Sequence, residues 1–312
     1  MITPESCRFK FQAQELPQRL RQIAQELPTS YWLFEFPELS GIAGKKAWHL
    51  VLSRSQVVFS GNQQFSWQWF LECFRRYIPR FRGELVRSAI LQLEQQLPLE
   101  EPENLSALLF DRLNQLYQLN LISPNESRQA LWLSLLVDCD NYLFDRAGYA
   151  DFMPLPMPEI QPLIAGFDLE KVLATAKERQ IEWYKLQSLI SSMESFPMLN
   201  AQAVSATTLN FAQQQRLQAL VAERKTLNDI SAELGQDPLE TAKLFAQLVS
   251  KQLVTLTSLQ AGTSYEIFVV DDSQILLRRF ENLVTSWGMS ISMISGRDIP
   301  ILVTWSGCRY RR

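Results

Sequence analysis

The stretch Tyr265–Ile294 constrains this chain most. Six strand-prone residues, Tyr265 to Val270, run directly into Asp271-Asp272-Ser273. An amphipathic helix is expected next, with Ser273 as its N-cap and Ile275, Leu276, Phe280, Leu283 and Trp287 at helical spacing. Gly288 ends it, and a second apolar run, Met289–Ile294, reads as another strand. Strand, acidic turn, helix and strand in this order spell an open α/β unit, in which ligands bind at the carboxyl ends of the strands. Asp271 and Asp272 stand at such an end. Their simplest alternative is solvated turn and cap chemistry, for which Asp and Ser are well suited.

These residues, IFVVDDS followed by ILLRRFENLVTSWG and the second apolar run, resemble the opening of a two-component response-regulator receiver domain, a flavodoxin-like α/β fold. The resemblance implies that Asp271 and Asp272 are the acidic pair that holds Mg2+ beside a phosphorylated aspartate in intact relatives. A hard divalent cation takes oxygen ligands and offsets the charge of a transferring phosphoryl group. The sequence departs from the family after Ser295, where it reads GRDIPILVTWSGCRYRR. It has no apolar third strand ending in Asp, no later Thr or Ser, and no closing Lys. Residues 265–312 are therefore expected to be a truncated receiver fragment, through natural loss or a shifted reading frame, with no phosphoacceptor.

A chain of 312 residues is expected to hold two or three domains. Its net charge of −3 gives no global attraction to nucleic acid or to an anionic membrane. No apolar run approaches the ~20 residues of a membrane span, and MITPESCRFKFQ carries no signal-peptide core. Four separated cysteines and a single histidine speak against a zinc cluster. Free thiols in a reducing cytoplasm are the expectation.

Taken in order, the chain begins with an amphipathic helix over Ala13–Glu26, which Pro28 ends. Short runs of β-formers follow at Tyr31–Phe36, Trp48–Leu52 and Val57–Phe59, separated by Ser40-Gly41, Gly44-Lys45-Lys46, Ser53-Arg54-Ser55 and Gly61-Asn62. They predict a small antiparallel meander. Helical spacing then covers Phe65–Tyr77, Gly83–Leu97 and Asn104–Leu119. Ser123-Pro124-Asn125-Glu126 signals a further helix start, running to about Arg146 and closed by Gly148. The run DFMPLPMPEIQPLIAG, residues 151–166, holds four prolines and reads as an extended linker. A helix over Leu169–Met193 comes next. Residues 209–257 read as winged-helix-like: Phe211–Glu223, Thr226–Leu234 and Leu239–Lys251 as helices, then Leu253–Leu259 as a strand.

The segments FEFPELSGIAGKKAWHLVLSRSQVVFSG, NESRQALWLSLLVDCDNYLFD and residues 226–254, followed by a receiver start, are similar to cyanobacterial PatA-type (PATAN domain) regulators. The resemblance covers residues 10–260 and 265–294. The fold class it implies is α+β: an N-terminal module over residues 1–260, with a small antiparallel sheet, helices and a winged-helix-like segment, then an incomplete α/β receiver fragment. The implied function is non-enzymatic signal transduction through protein contacts, in pilus motility, phototaxis or cell differentiation. Its partner would be a regulatory or motility-machinery protein or a sensor histidine kinase.

DNA binding through residues 209–257 is the alternative. That segment carries Arg216, Arg224, Lys225, Lys243 and Lys251 against Glu223, Asp229, Glu233, Asp237 and Glu240, a net charge of zero. A DNA reader gains much of its affinity from neutralising phosphates, and Pro238–Ala242 offers no Arg, Asn or Gln to base edges. The local cluster of Arg75, Arg76, Arg80 and Arg82 with Phe74, Tyr77 and Phe81 could meet an acidic partner or a nucleotide, or be a solvated helix end over core aromatics. His49, between Trp48 and Leu50, reads as structural, and the tryptophans as core or interface anchors.

Overall fold

The computed structural model describes residues 8–37, 46–96, 105–153, 166–205, 211–221, 224–257, 266–269 and 301–304. The fold is mixed α+β. Its centre is a six-stranded sheet of β1 (Arg8–Phe11), β2 (Ser30–Phe36), β3 (Lys46–Ser53), β4 (Gln56–Gly61), β5 (Gly148–Met153) and β6 (Phe167–Asp168). The spatial order is β1-β5-β2-β3-β4-β6, and every pairing is antiparallel.

The expected meander is β2-β3-β4. Arg54 and Ser55 join β3 to β4 with φ of 51° and 63°, the left-handed pair that a tight hairpin turn needs. β2 shows why the sheet is stable. Trp32, Phe34 and Phe36 are buried on one face, and Phe34 lies opposite Trp48 of β3 with ring centroids 5.2 Å apart. A buried aromatic side chain of this size removes enough apolar surface to contribute about 4–6 kcal/mol before entropy is charged against it.

Three elements correct the sequence reading. Gly148 does not close a helix. The helix α5 (Pro124–Tyr142) ends earlier, and Gly148 opens β5, which inserts between β1 and β2. A Cβ on Gly148 would lie 2.4 Å from the carbonyl oxygen of Glu35 and 2.8 Å from the ring of Phe11. The glycine thus permits a close strand approach, a role that also places Gly in strands. The first residues of the expected linker, 151–153, accordingly belong to the sheet, while Pro154, Pro156, Pro158 and Pro162 lie outside the described residues. β1 was not expected at all.

Helices α1 (Leu16–Glu26), α2 (Trp67–Tyr77), α3 (Glu84–Gln96) and α4 (Leu105–Gln118) fall where apolar spacing put them. Ser123 caps α5 by the anticipated capping box: its Oγ accepts from the Glu126 N–H, and the Glu126 carboxylate accepts from the Ser123 N–H. α5 packs on β4 and on α2. Together these elements close one large core.

A second, smaller core follows the helix α6 (Leu169–Leu186). α6 stops short of the expected Met193, and the chain forms β7 (Phe196–Leu199), α7 (Ala201–Ser205), α8 (Phe211–Val221), α9 (Leu227–Leu234), α10 (Pro238–Ser250) and β8 (Val254–Thr257). β8 is the strand expected near the end of this segment. Its antiparallel partner is β7, which lies before the helices and was not anticipated. Ile230, Ala242 and Phe245 fill the centre of this core. Gly235 ends α9 at φ 64°, a left-handed helix terminus.

The final pair, β9 (Glu266–Val269) and β10 (Ile301–Thr304), forms an antiparallel ribbon. β9 lies within the strand expected before the acidic pair. β10 falls in the stretch to which no element was assigned, and its pairing runs opposite to the parallel sense of a receiver's opening strands. Asp271, Asp272 and Met289–Ile294 lie outside the described residues.

Candidate functional site: the seam between the two cores

α6 belongs to both halves of the molecule. Leu169, Val172, Leu173 and Ala176 are buried in the first core, while Trp183 and Leu186 pack on the second. Arg179 falls between these sets, on the same stripe as Val172, Ala176 and Trp183. It is only 7% exposed. Its Nε donates to Asp140 Oδ1 at 3.0 Å and one Nη donates to Asp140 Oδ2 at 2.6 Å. The guanidinium also forks onto Asp237, with one contact to Oδ1 at 2.8 Å and a second to Oδ2. Trp183 Nε1 adds a hydrogen bond to Asp140 Oδ2 at 2.9 Å.

The two carboxylates come from different halves. Asp140 sits on α5, and Asp237 is the N-cap of α10, accepting from the Leu239 N–H. One guanidinium therefore ties α5, α6 and α10 together. Burial opposes its charge, but the hydrogen bonds and charges of Asp237 and Asp140 outweigh that and raise its pKa, so the group stays ionised. Five donors in a planar fork suit such double bidentate pairing, and a lysine could not reproduce it.

The arginine cluster singled out in the sequence forms the other side of the same seam. Arg82 Nε donates to the Arg75 carbonyl at 2.5 Å and its Nη atoms donate to the carbonyls of Arg76, Glu233 and Ala232. Those carbonyls belong to the last turns of α2 and α9, where helices leave acceptors unsatisfied. Arg76 donates to Asn228 Oδ1 at 2.9 Å and lies over the Tyr77 ring. Arg80 pairs with Glu126 on α5, and that pairing, with Ser123, holds the Glu126 carboxyl down at about 2. Phe74 and Phe81 are fully buried. The aromatics are thus core, as the simpler reading had it, and three of the four arginines make internal contacts.

A third carboxylate, half-buried, stands apart from the seam. Asp138 of α5 accepts from Ser60 Oγ of β4 at 2.6 Å, and Ser60 Oγ accepts from Trp48 Nε1 at 2.8 Å. Burial pushes its pKa up to about 7, with the Ser60 hydrogen bond opposing. His49, 7% exposed, shares a 2.8 Å hydrogen bond with Tyr31, and burial lowers its pKa. It is a structural histidine on its strand. Cys73 and Cys139 are free and buried. Among the described residues no group of three or more His, Cys, Asp or Glu could hold a metal ion. Among them, too, no helix is long and apolar enough to cross a membrane.

Sequence reading missed Arg179, Asp140 and Asp138. A signal existed for the first two. Each interrupts an otherwise apolar helical stripe: Arg179 between Ala176 and Trp183, and Asp140 between Leu136 and Leu143. A charge placed so is buried, and a buried charge needs a partner.

Compared with protein-family models, with curated proteins and with solved structures, the chain finds no match in any of the three.

Proposed function

We propose that this chain is a non-enzymatic regulatory protein of the response-regulator class, acting through a protein-contact surface on residues 1–260. The observation that carries this reading is the position of α10. In a helix-turn-helix reader, the first turns of the recognition helix enter the major groove. Here Pro238, Leu239, Thr241 and Ala242 are buried, and Asp237, which caps the helix, is locked to Arg179. The outer face of α10 carries Glu240, Leu244, Gln247 and Ser250, and its one cation, Lys243, is 33% exposed and paired with Glu240 and Glu182. Such a helix packs well and reads DNA poorly.

Protein contact is supported by what the seam leaves outside. Ile181 and Tyr184 of α6 are 50% and 79% exposed, and Leu244 of the adjoining α10 is 41% exposed. Binding hot spots are enriched in tyrosine, and Tyr184 here stands among exposed aliphatic neighbours on two adjoining helices. A regulatory or motility-machinery protein, or a sensor histidine kinase, fits this output. The run of strand-formers into Asp271 and Asp272 supports a receiver-like segment in which this pair would face Mg2+, and residues 295–312 offer no phosphoacceptor motif.

The full chain, incubated with Mg2+ and a small phosphodonor, is expected to gain no hydroxylamine-labile acyl phosphate. It is also expected to leave duplex DNA unshifted at low salt. A stable acyl phosphate would restore phosphate control. Salt-dependent DNA binding, with a slope that reports phosphate neutralisation, would replace this reading with the transcription-factor alternative.

A further inference from the structure

The seam contains a groove of about 380 Å³ lined by Arg75, Arg76, Arg82, Arg87, Ala232 and Glu233. We propose that this groove is a binding site for a small phosphate-bearing molecule, such as a pyrophosphate or nucleotide, held by Arg75 and Arg87. The proposal is independent of the protein-contact reading above.

The argument turns on which charges the fold already uses. Arg82 is spent on four helix-end carbonyls, and Arg76 on Asn228 and the Tyr77 ring. Arg75 is different. Half-buried in the last turn of α2, its guanidinium makes no hydrogen bond or ion pair with any described residue. Among the described residues Arg87, across the groove on α3, pairs with Glu84 alone, at 3.5 Å, both side chains being well exposed. Among the described lining residues Glu233 is the one carboxylate, and Lys225 already holds it at 2.6 Å. Four guanidinium groups thus line one cavity, with Glu233 committed to Lys225 and the exposed Glu84 in a loose contact with Arg87 alone. Like charges gathered in this way repel one another, and a bound anion would relieve that repulsion.

The chemistry of the walls selects the anion. Guanidinium forks match the geometry of phosphate oxygens and hold them bidentately. The volume lies within the ~300–1,000 Å³ range of small-molecule pockets. It suits a compact polyanion better than a length of polymer. The walls come from α2 and α3 on one side and α9 on the other, so occupancy would draw the two cores together.

The test uses the full chain and pyrophosphate, with inorganic phosphate, ATP and sodium chloride at matched ionic strength, read by titration calorimetry and thermal unfolding. Pyrophosphate or ATP is expected to bind saturably and raise Tm, while chloride does neither. Arg75→Ala combined with Arg87→Ala should weaken that binding at least tenfold and leave the ligand-free Tm unchanged or slightly raised, because it removes two mutually repelling charges and only the exposed Arg87–Glu84 contact. Lys177→Ala, an exposed cation on α6, should change nothing. An equal Tm rise with chloride, or undiminished pyrophosphate binding by the double variant, would overturn the site. Tighter binding of a phosphopeptide than of pyrophosphate or ATP would overturn its assignment to a small molecule.

Discussion

Arg179 meets Asp237 across the seam between the two cores, with their side chains 7% and 13% exposed. The cap of one half's central helix is thereby fastened to a helix rooted in the other half. Removing the guanidinium strands two acidic side chains in a dry site, and breaking a buried pair in this way costs about 3–5 kcal/mol. Arg179→Ala is therefore expected to lower the urea midpoint sharply, and Arg179→Lys to recover only part of the loss. The triple change Arg179→Met, Asp140→Leu and Asp237→Ser, which keeps a helix cap, should be far milder than Arg179→Ala. An Arg179→Ala protein with unaltered stability would remove the seam from the account.

Asp138 makes stability fall as pH rises. Its folded pKa is about 7, against an ordinary value of 3.8. Between these the folded chain holds a proton that the unfolded chain has released, so the unfolded state gains on every step upward in pH. The decline flattens above about pH 7. His49 acts in the opposite sense: burial lowers its pKa from 6.5, so acid favours the unfolded state as pH falls through that value. The difference in unfolding free energy between the native chain and Asp138→Asn isolates the carboxyl. That difference is expected to shift in favour of the variant by up to a few kcal/mol from pH 4 to 7, by denaturant titration. A difference that stays constant with pH would contradict a raised pKa at Asp138.

Gly148→Ala tests the insertion of β5. The new methyl would press on the Glu35 carbonyl at 2.4 Å, and β2 is held on both sides. Backbone cannot yield as a side chain tip can, so the loss should reach or exceed the ~1–3 kcal/mol usual for overpacking. Thermal unfolding measures it. Gly83→Ala, with only a 3.3 Å contact to the Arg80 carbonyl, is the milder comparison.

Tyr184→Ala should separate binding from folding. The side chain is 79% exposed, so stability should change by no more than about 0.5 kcal/mol. If α6 and α10 carry the output surface, the affinity of a captured protein partner should drop by about 2 kcal/mol or more, the scale of a hot-spot tyrosine. A partner bound equally well by Tyr184→Ala contacts some other face.

Elements whose signal is local could be read from the sequence. Ser123 and Glu126 announce α5 within four residues, and Leu109, Leu113 and Leu116 mark the inner side of α4. Arg54-Ser55 mark their own turn. Elements defined by distant partners could not. β1 is a four-residue strand whose one neighbour among the described residues is β5, and β7 meets β8 only after four intervening helices. Gly148 was ambiguous because glycine ends helices as readily as it admits a neighbouring strand. The seam was hidden for the same reason. Arg179 lies 39 residues from Asp140 and 58 from Asp237, and Ser60 lies 78 from Asp138. Periodicity says that such residues face inward and is silent on whom they meet.

The late arrival of β5 has a consequence for synthesis. A nascent chain that has emerged only as far as Tyr142 already holds β1 and β2, yet each lacks the strand that lies between them in the finished sheet. Both present open edges, the surfaces on which unfinished chains aggregate. Until Gly148–Met153 leaves the ribosome, those two edges stay unpaired.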